Sequence, residues 1–326
     1  MNPAAIVAIV ISLGISYFLT PIVGKLAWKF GAIDHPDERR VHSTPTPRFG
    51  GVAIYIAFVS AALIVGLLNR SIFQDGQIIA VIVAGTIVAV VGALDDRFNL
   101  SPILQIAGIV GATFVLIYFG IKIQFLTHPF NAPKLVTLGA LSIPMTIIWV
   151  FGVTKTVDLI DGLDGLASGI CAIAATTLLL MAIQAQAHGT NPKSFLEVAI
   201  MAGALIGASL GFLRHNYPPA KIFMGTVGSQ FMGFVLASLS IIGAFKVATL
   251  AAVAVPVFAL GVPILDAVFV VIRRFLERRP VHLADKSHVH HRLLERGLSH
   301  SKVVLIIYGL TIILSATALT FYAVSQ

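Results

Sequence analysis

Ten apolar stretches, each long enough to cross a lipid bilayer, divide this chain and limit what it can fold into. They cover residues 4–29, 51–68, 77–94, 102–120, 136–153, 165–187, 195–213, 229–244, 248–271 and 302–324. A backbone in hydrocarbon must satisfy its own hydrogen bonds, so apolar runs of about 17–25 residues read as helices. Of the 326 residues, 11% are charged and 57% hydrophobic, with mean hydropathy +0.95, whereas a soluble domain carries about 25% charged residues. The expectation is an all-α, polytopic membrane protein of about ten spans, one integral domain over residues 1–326. The first run reads as a span, since it is too long for a cleavable leader and lacks a small-residue cleavage site. Cys171 stands alone in an apolar run, which excludes an intramolecular disulfide and leaves it as filler.

Basic residues set the orientation. The five connections that follow odd-numbered spans, with their flanking ends, hold 17 of the 22 lysines and arginines. Those connections are therefore expected in the cytoplasm and both termini outside, in a cytoplasmic membrane of bacterial type. Most acidic residues and histidines fall on the same side, so the polar chemistry should face the cytosol. The positive-inside rule also accounts for the +8 net charge, which removes the argument for a nucleic-acid partner.

These five connections carry candidate chemistry. The first reads "DHPDERRVHSTPTPRFGG"; its prolines and Gly50–Gly51 favour an ordered loop. Arg39, Arg40 and Arg48 there either bind phosphate or obey the charge rule, and singly the second reading is favoured. The second holds Asp95 and Asp96, and a doubled carboxylate at a membrane border favours function over a solvated helix end. The third, "TVDLIDGLDGLAS", places Asp158, Asp161 and Asp164 at i, i+3, i+6. If helical, they share about a third of the circumference and repel one another unless a cation intervenes. Lys155 is the one local base, so a hard divalent cation is the economical answer, and Mg²⁺ takes oxygen ligands together with substrate phosphates. The fourth, "RHNYPPAKIFMGTVGSQ", is a Pro- and Gly-bracketed turn in which Phe223 either packs or stacks on a flat ring. The fifth ends in "HLADKSHVHHRLLERG". Zinc at His288, His290 and His291 is the minor reading, since no cysteine is near and donors to phosphate or sugar suit the basic surroundings.

Taken in order, "GALDDR", "DLIDGLDGLA", "NYPPAKIFMG" with "GS", and the split histidines of "HVHHRLLERG" resemble the polyprenyl-phosphate N-acetylhexosamine-1-phosphate transferases over nearly the whole chain. The resemblance implies transfer of N-acetylhexosamine-1-phosphate, most simply GlcNAc-1-phosphate, from a UDP-sugar to undecaprenyl phosphate. UMP is released, as the first membrane step of cell-envelope polysaccharide synthesis. It implies that Asp95 and Asp96 lie at the lipid phosphate, with Asp95 as base or charge-positioning group, while Asp161 and Asp164 shape the nucleotide and metal site. Asn216 and Phe223 would contact uridine. His288, His290 and His291, with Arg273 and Arg274, would contact sugar or phosphates, and Arg39, Arg40 and His42 of the first connection join the substrate set. The cofactor implied is Mg²⁺, with Mn²⁺ as the substitute, and a homodimer follows by analogy.

Two departures stand out. Where the family has Asn this chain has Asp158, and where the family has a ligating Asp this chain has Thr226. Together they read as an exchange that moves the carboxylate from the fourth connection to the third, with Asp158 and Thr226 as the metal pair. A change from Asn also puts Lys155 nearby, with no assigned role. The rival readings are a homologue that binds UDP-sugar or lipid without turnover, prompted by Thr226, and a multi-pass transporter. Transporter carboxylates sit near the bilayer midplane, and these do not.

Overall fold

A computed structural model describes residues 3–34, 45–69, 76–127, 135–188, 192–247, 250–276 and 289–325. Its helices in chain order are α1 Pro3–Phe30, α2 Gly50–Leu68, α3 Gln77–Phe98, α4 Pro102–Tyr118, α5 Ser142–Ile160, α6 Leu166–Ala187, α7 Pro192–Asn216, α8 Gly225–Val247, α9 Leu250–Ala259, α10 Gly261–Leu276, α11 Val289–Glu295 and α12 His300–Val324. Every apolar stretch of the sequence contains a helix, although the fifth, 136–153, opens in a short strand and becomes α-helical only from Ser142. Among the described residues, eight helices (α1, α2, α3, α5, α6, α7, α8 and α12) are long and apolar enough to cross a membrane. The stretch expected as one span over 248–271 is instead a pair, α9 and α10, bent by 69° at its break and counting as a ninth span if taken together. Pro256 removes a backbone donor inside α9, and Gly261 opens α10, so the ladder has a natural place to break. The remaining expected span, α4, is an apolar helix of 17 residues.

Two small antiparallel hairpins depart from the all-helical expectation. One pairs β1 Ile33–Asp34 with β2 Thr46–Pro47, and the other pairs β3 Phe125–Thr127 with β4 Leu135–Thr137. The first matters for function, because it folds the α1–α2 connection back so that Arg48 N–H donates to the Ala32 carbonyl at 3.0 Å.

Helix α8 is the hub. Of its apolar window 94% is buried, against 28% for α1 and 33% for α12, which lie at the periphery. A helix apolar on all sides needs neighbours on all sides, and α8 packs on α2, α3, α5, α6, α7 and α9. The tightest helix pair elsewhere is α1 on α7. Gly203, Gly207 and Gly211 form an i, i+4, i+8 stripe on α7; a Cβ at Gly207 would lie 2.1 Å from Ser12 Oγ and 2.2 Å from the Ile9 carbonyl oxygen. Lipid offers no hydrophobic drive to hold two helices together, so such small-residue contact, with Ser16 Oγ donating to the Ala208 carbonyl at 2.7 Å, supplies the packing and the hydrogen bond that do.

Candidate active site

The end of α3 meets the start of α8. Asp96 Oδ1 accepts from Thr226 N–H at 2.8 Å and Oδ2 from Val227 N–H at 3.1 Å, so a carboxylate from α3 caps the N-terminus of α8. Unpaired amides and a positive helix end both favour an anion there. Arg48 adds charge balance, with its guanidinium 3.5 Å from Asp96 and 3.6 Å from Asp34. The backbone of the first connection also pins the fourth: Gly50 N–H donates to the Phe223 carbonyl at 2.9 Å, Gly51 N–H to that of Met224 at 2.8 Å, and Phe223 N–H to that of Pro47 at 2.8 Å. Gly225 turns the chain into α8 at φ +67°. A Cβ there would stand 2.3 Å from both the Arg48 carbonyl oxygen and Asp96 Oδ2, so glycine is required by conformation and by space.

Asp95, one residue back, lies beside a second polar cluster. Its Oδ2 accepts from Thr226 Oγ1 at 2.7 Å and its Oδ1 from Gln105 Nε2 of α4 at 2.9 Å. Gln105 Oε1 accepts in turn from Lys155 Nζ at 2.6 Å and from Gln230 Nε2 at 3.0 Å. Lys155 is also 2.9 Å from Asp158 Oδ2, while Asp158 Oδ1 accepts from Ser229 Oγ at 2.6 Å. The charges fix the direction of the Gln105 amide, since reversal would set its carbonyl against Asp95 and its NH₂ against an ammonium. The amide thus joins a carboxylate on α3 to an ammonium on α5.

The third acidic group does not continue as a helix. Helix α5 ends at Ile160, so Asp158 sits in its last turn while Asp161 and Asp164 lie in the turn before α6. That turn is bolted on two sides. Asp164 Oδ2 accepts from Ala220 N–H at 2.9 Å, and Asp164 N–H donates to His300 Nε2, at the start of α12, at 3.1 Å. Asn216 Oδ1 accepts from Gly165 N–H at 2.9 Å, and its Nδ2 donates to the Ile222 carbonyl at 2.9 Å. Tyr308 Oη of α12 donates to the Gly165 carbonyl at 2.5 Å.

The arrangement therefore gathers residues from all five connections at one end of the bundle. Asp95, Asp96, Asp158 and Thr226 belong to one hydrogen-bonded network, Asp164 and Asn216 tie the adjoining turn to the fourth connection, Asp161 feels the charges of Asp158, Asp96 and Asp164, and Phe223 joins through its backbone. Asn216, expected at uridine, is buried and holds the third connection to the fourth. Asp158 and Thr226, expected to share a cation, each have protein partners: Lys155, Ser229 and Gln230 for the first, Asp95 for the second. Arg273 and the buried Arg274 end α10, while His290 and His291 lie in α11, which docks on α10 through Val289 N–H donating to Asp266 at 2.9 Å and through Arg292 stacked 4.6 Å over Phe269. Arg39, Arg40, His42 and His288 lie outside the described residues.

Sequence reasoning left Arg48 to the charge rule and missed Gln105, Ser229, Gln230 and His300. Gln105 carried a usable signal, as a polar side chain three residues into an apolar helix, and a polar group there must find a partner. His300, one residue into the last helix, carried none.

Asp161 is the exception among these carboxylates. Among the described residues its carboxylate has no hydrogen-bond or salt-bridge partner. Burial, then the charges of Asp158 and Asp96, push its pKa well above the usual carboxylate range, with Asp164 adding and Arg48 opposing. The unfolded chain would release this proton near pH 4 while the folded, cation-free protein holds it, so the folded state binds more protons and stability falls as pH rises above that value. In EDTA, the melting temperature of detergent-solubilised protein is expected to decline from pH 5 to 8; Asp161→Asn should make the decline shallower, and a slope as steep as wild type's in that variant would disprove the assignment.

A hard divalent cation fits this chemistry, since Asp161 offers an uncompensated oxygen donor among other carboxylates. No three His, Cys, Asp or Glu side chains among the described residues are arranged to hold a metal ion by themselves. A cation at Asp161 would therefore complete its shell with phosphate oxygens and water, as Mg²⁺ commonly does.

The same residues are covered by a family-wide sequence pattern. The sequence model of glycosyl transferase family 4 matches residues 78–244, from α3 to the end of α8. The chain belongs to this family. A "Probable undecaprenyl-phosphate N-acetylglucosaminyl 1-phosphate transferase" of Bacillus subtilis is 39% identical over 314 residues, covering 96% of this chain and 84% of the relative. The decaprenyl-phosphate N-acetylglucosaminephosphotransferase of Mycobacterium leprae is 35% identical, covering 90% of this chain and 78% of the relative. A phospho-N-acetylmuramoyl-pentapeptide-transferase of Clostridioides difficile is 28% identical, covering 95% and 94%. Within the family, then, the resemblance extends across this chain's spans and connections rather than over one motif. Arg48 and His300, which complete the site, lie outside the matched core.

Proposed function

We propose that this chain transfers N-acetylhexosamine-1-phosphate, most simply GlcNAc-1-phosphate, from a UDP-sugar to a polyprenyl phosphate such as undecaprenyl phosphate. The observation that carries the reading is the gathering of Asp95, Asp96, Asp158, Asp161 and Asp164 with Arg48 and Lys155 at one end of a membrane bundle. A lipid phosphate oxygen attacks the sugar-bearing phosphorus of the diphosphate; one P–O bond forms, the P–O bond to UMP breaks, and UMP leaves with the electron pair. Such transfers depend on positioning and charge neutralisation more than on covalent help from the protein. Asp95, held by Gln105 and Thr226, is the base or charge-positioning group at the acceptor phosphate. Asp161 is the carboxylate through which Mg²⁺, or Mn²⁺, is held; when bound, the cation neutralises charge on the diphosphate. Asp158 stays near the cation as the partner of Lys155, and Asp96 and Asp164 hold α8 and the α5–α6 turn in place. The histidine and arginine groups of the first and fifth connections complete contacts to sugar and phosphates. The basic connections support a site facing the cytoplasm, with both termini outside, and the chain would then serve the first membrane step of an envelope polysaccharide.

The test is UMP release by purified protein given UDP-GlcNAc and undecaprenyl phosphate, with and without Mg²⁺. The expected result is cation-dependent UMP with an equal yield of glycolipid. Nucleotide binding with neither product would overturn the transferase reading in favour of a silent binder.

A further inference from the structure

The five carboxylates at this end of the bundle would repel a diphosphate, and two cations from the described residues are bonded among them. Arg48 divides its guanidinium between Asp34 and Asp96. Lys155 is placed differently. Its ammonium is 2.9 Å from Asp158 Oδ2 and 2.6 Å from Gln105 Oε1, which uses two of its three N–H groups. The side chain is 24% exposed, and among the described residues its third N–H has no partner, which leaves it for an incoming group. Both holders are themselves fixed: Gln105 by Asp95 and Gln230, and Asp158 by Ser229 and Gln230. A long lysine side chain normally loses rotamer freedom when it binds a phosphate; this one has lost most of it beforehand.

We propose that Lys155 binds a phosphate of the diphosphate donor, as an ammonium held ready by Gln105 and Asp158. The inference rests on the donor being a nucleoside-diphosphate sugar. It gives the Lys155–Asp158 pair a use beyond stability: Asp158 aims the ammonium, and the phosphate competes with Asp158 for it. Removing the aiming carboxylate should then leave anion binding intact or strengthen it, while removing the ammonium should weaken it.

The experiment compares Lys155→Met, Asp158→Asn, the double variant Lys155→Met/Asp158→Asn and Lys155→Arg. Readouts are the UDP dissociation constant in EDTA and the two KM values under turnover. The double variant removes both charges together, which avoids leaving the half-buried Asp158 carboxylate without its cation in Lys155→Met. A charge-assisted hydrogen bond corresponds to roughly 10- to 100-fold in affinity. Loss of Lys155 should therefore raise the UDP Kd and the UDP-GlcNAc KM at least tenfold, with the undecaprenyl phosphate KM within twofold. Asp158→Asn should bind UDP at least as tightly as wild type in EDTA, and Lys155→Arg should recover part of the affinity. A double variant that melts like Asp158→Asn and binds UDP within twofold of that single variant would overturn the assignment, as would a shift confined to the lipid KM. A wild-type protein that neither binds UDP nor releases UMP would overturn the donor reading itself, and this inference with it. Normal wild-type turnover beside a double variant that binds UDP like Asp158→Asn would remove Lys155 alone.

Discussion

Asp161→Asn is expected to lower cation-dependent UMP release by at least about 10³-fold, the largest loss of any single change in the site. Neutralising charge on a transferring phosphoryl group accounts for several kcal/mol of transition-state stabilisation, and each 1.4 kcal/mol or so is a factor of ten in rate. The expected loss follows from what Asp161 lacks. Asp95, Asp96, Asp158 and Asp164 accept hydrogen bonds from named donors, whereas Asp161 has no such partner among the described residues and is crowded by three of those carboxylates. Asparagine keeps the shape and removes the charge, so the fold should survive, and the melting temperature in EDTA should rise above wild type at pH 8. Titrating Mg²⁺ against initial rate is the measurement. A variant that turns over within tenfold of wild type at the same Mg²⁺ would place the cation elsewhere.

Gly225→Ala is the second large effect, and it acts through geometry. Its φ of +67° costs an L-residue about 1–2 kcal/mol, and the new Cβ would meet the Arg48 carbonyl oxygen and Asp96 Oδ2 at 2.3 Å. Neither is the loose end of a flexible chain: the first is backbone, and the second is tied to the amides of α8. The capping carboxylate has to move, taking Arg48 with it and shifting the Thr226 hydroxyl off Asp95. A loss of about 100-fold in turnover is expected, with a melting temperature lowered by several degrees. Gly111→Ala on α4 is the control, since nothing lies within 4 Å of a Cβ there. Equal turnover in the two variants would mean that the Asp96 cap does not govern the chemistry.

The membrane architecture was readable from apolar run length, because each run has to satisfy its backbone internally. Even so, the run over 248–271 gave no sign of a 69° bend, although Pro256 and Gly261 mark where it falls. The cluster of carboxylates was legible for a similar reason: charge at a membrane border is costly and therefore conspicuous. What each carboxylate holds was not. Asp95 and Asp96 are adjacent and look equivalent on paper, yet one faces Gln105 and Thr226 and the other caps α8, a division fixed by where α8 begins in space. Lys155 had no assignable role in the sequence because its two partners lie 50 residues before it and 3 after it, and only folding shows them converging. Extending α5 to Ile160 likewise separated Asp158 from the two aspartates that follow it.

The cap on α8 also bears on how the molecule can be divided. The family's matched stretch, 78–244, contains every carboxylate of the site, but Arg48 and the Gly50–Gly51 amides that brace its fourth connection come from before it, and His300 comes from after it. The shortest piece that carries the recognisable sequence is therefore not the shortest piece that can assemble the site. Chain ends brought together only by folding close the structure like a clasp. A protein supplied as two halves, parted between α6 and α7, would leave each half without part of its clasp, and returning catalysis would report that the halves had rejoined.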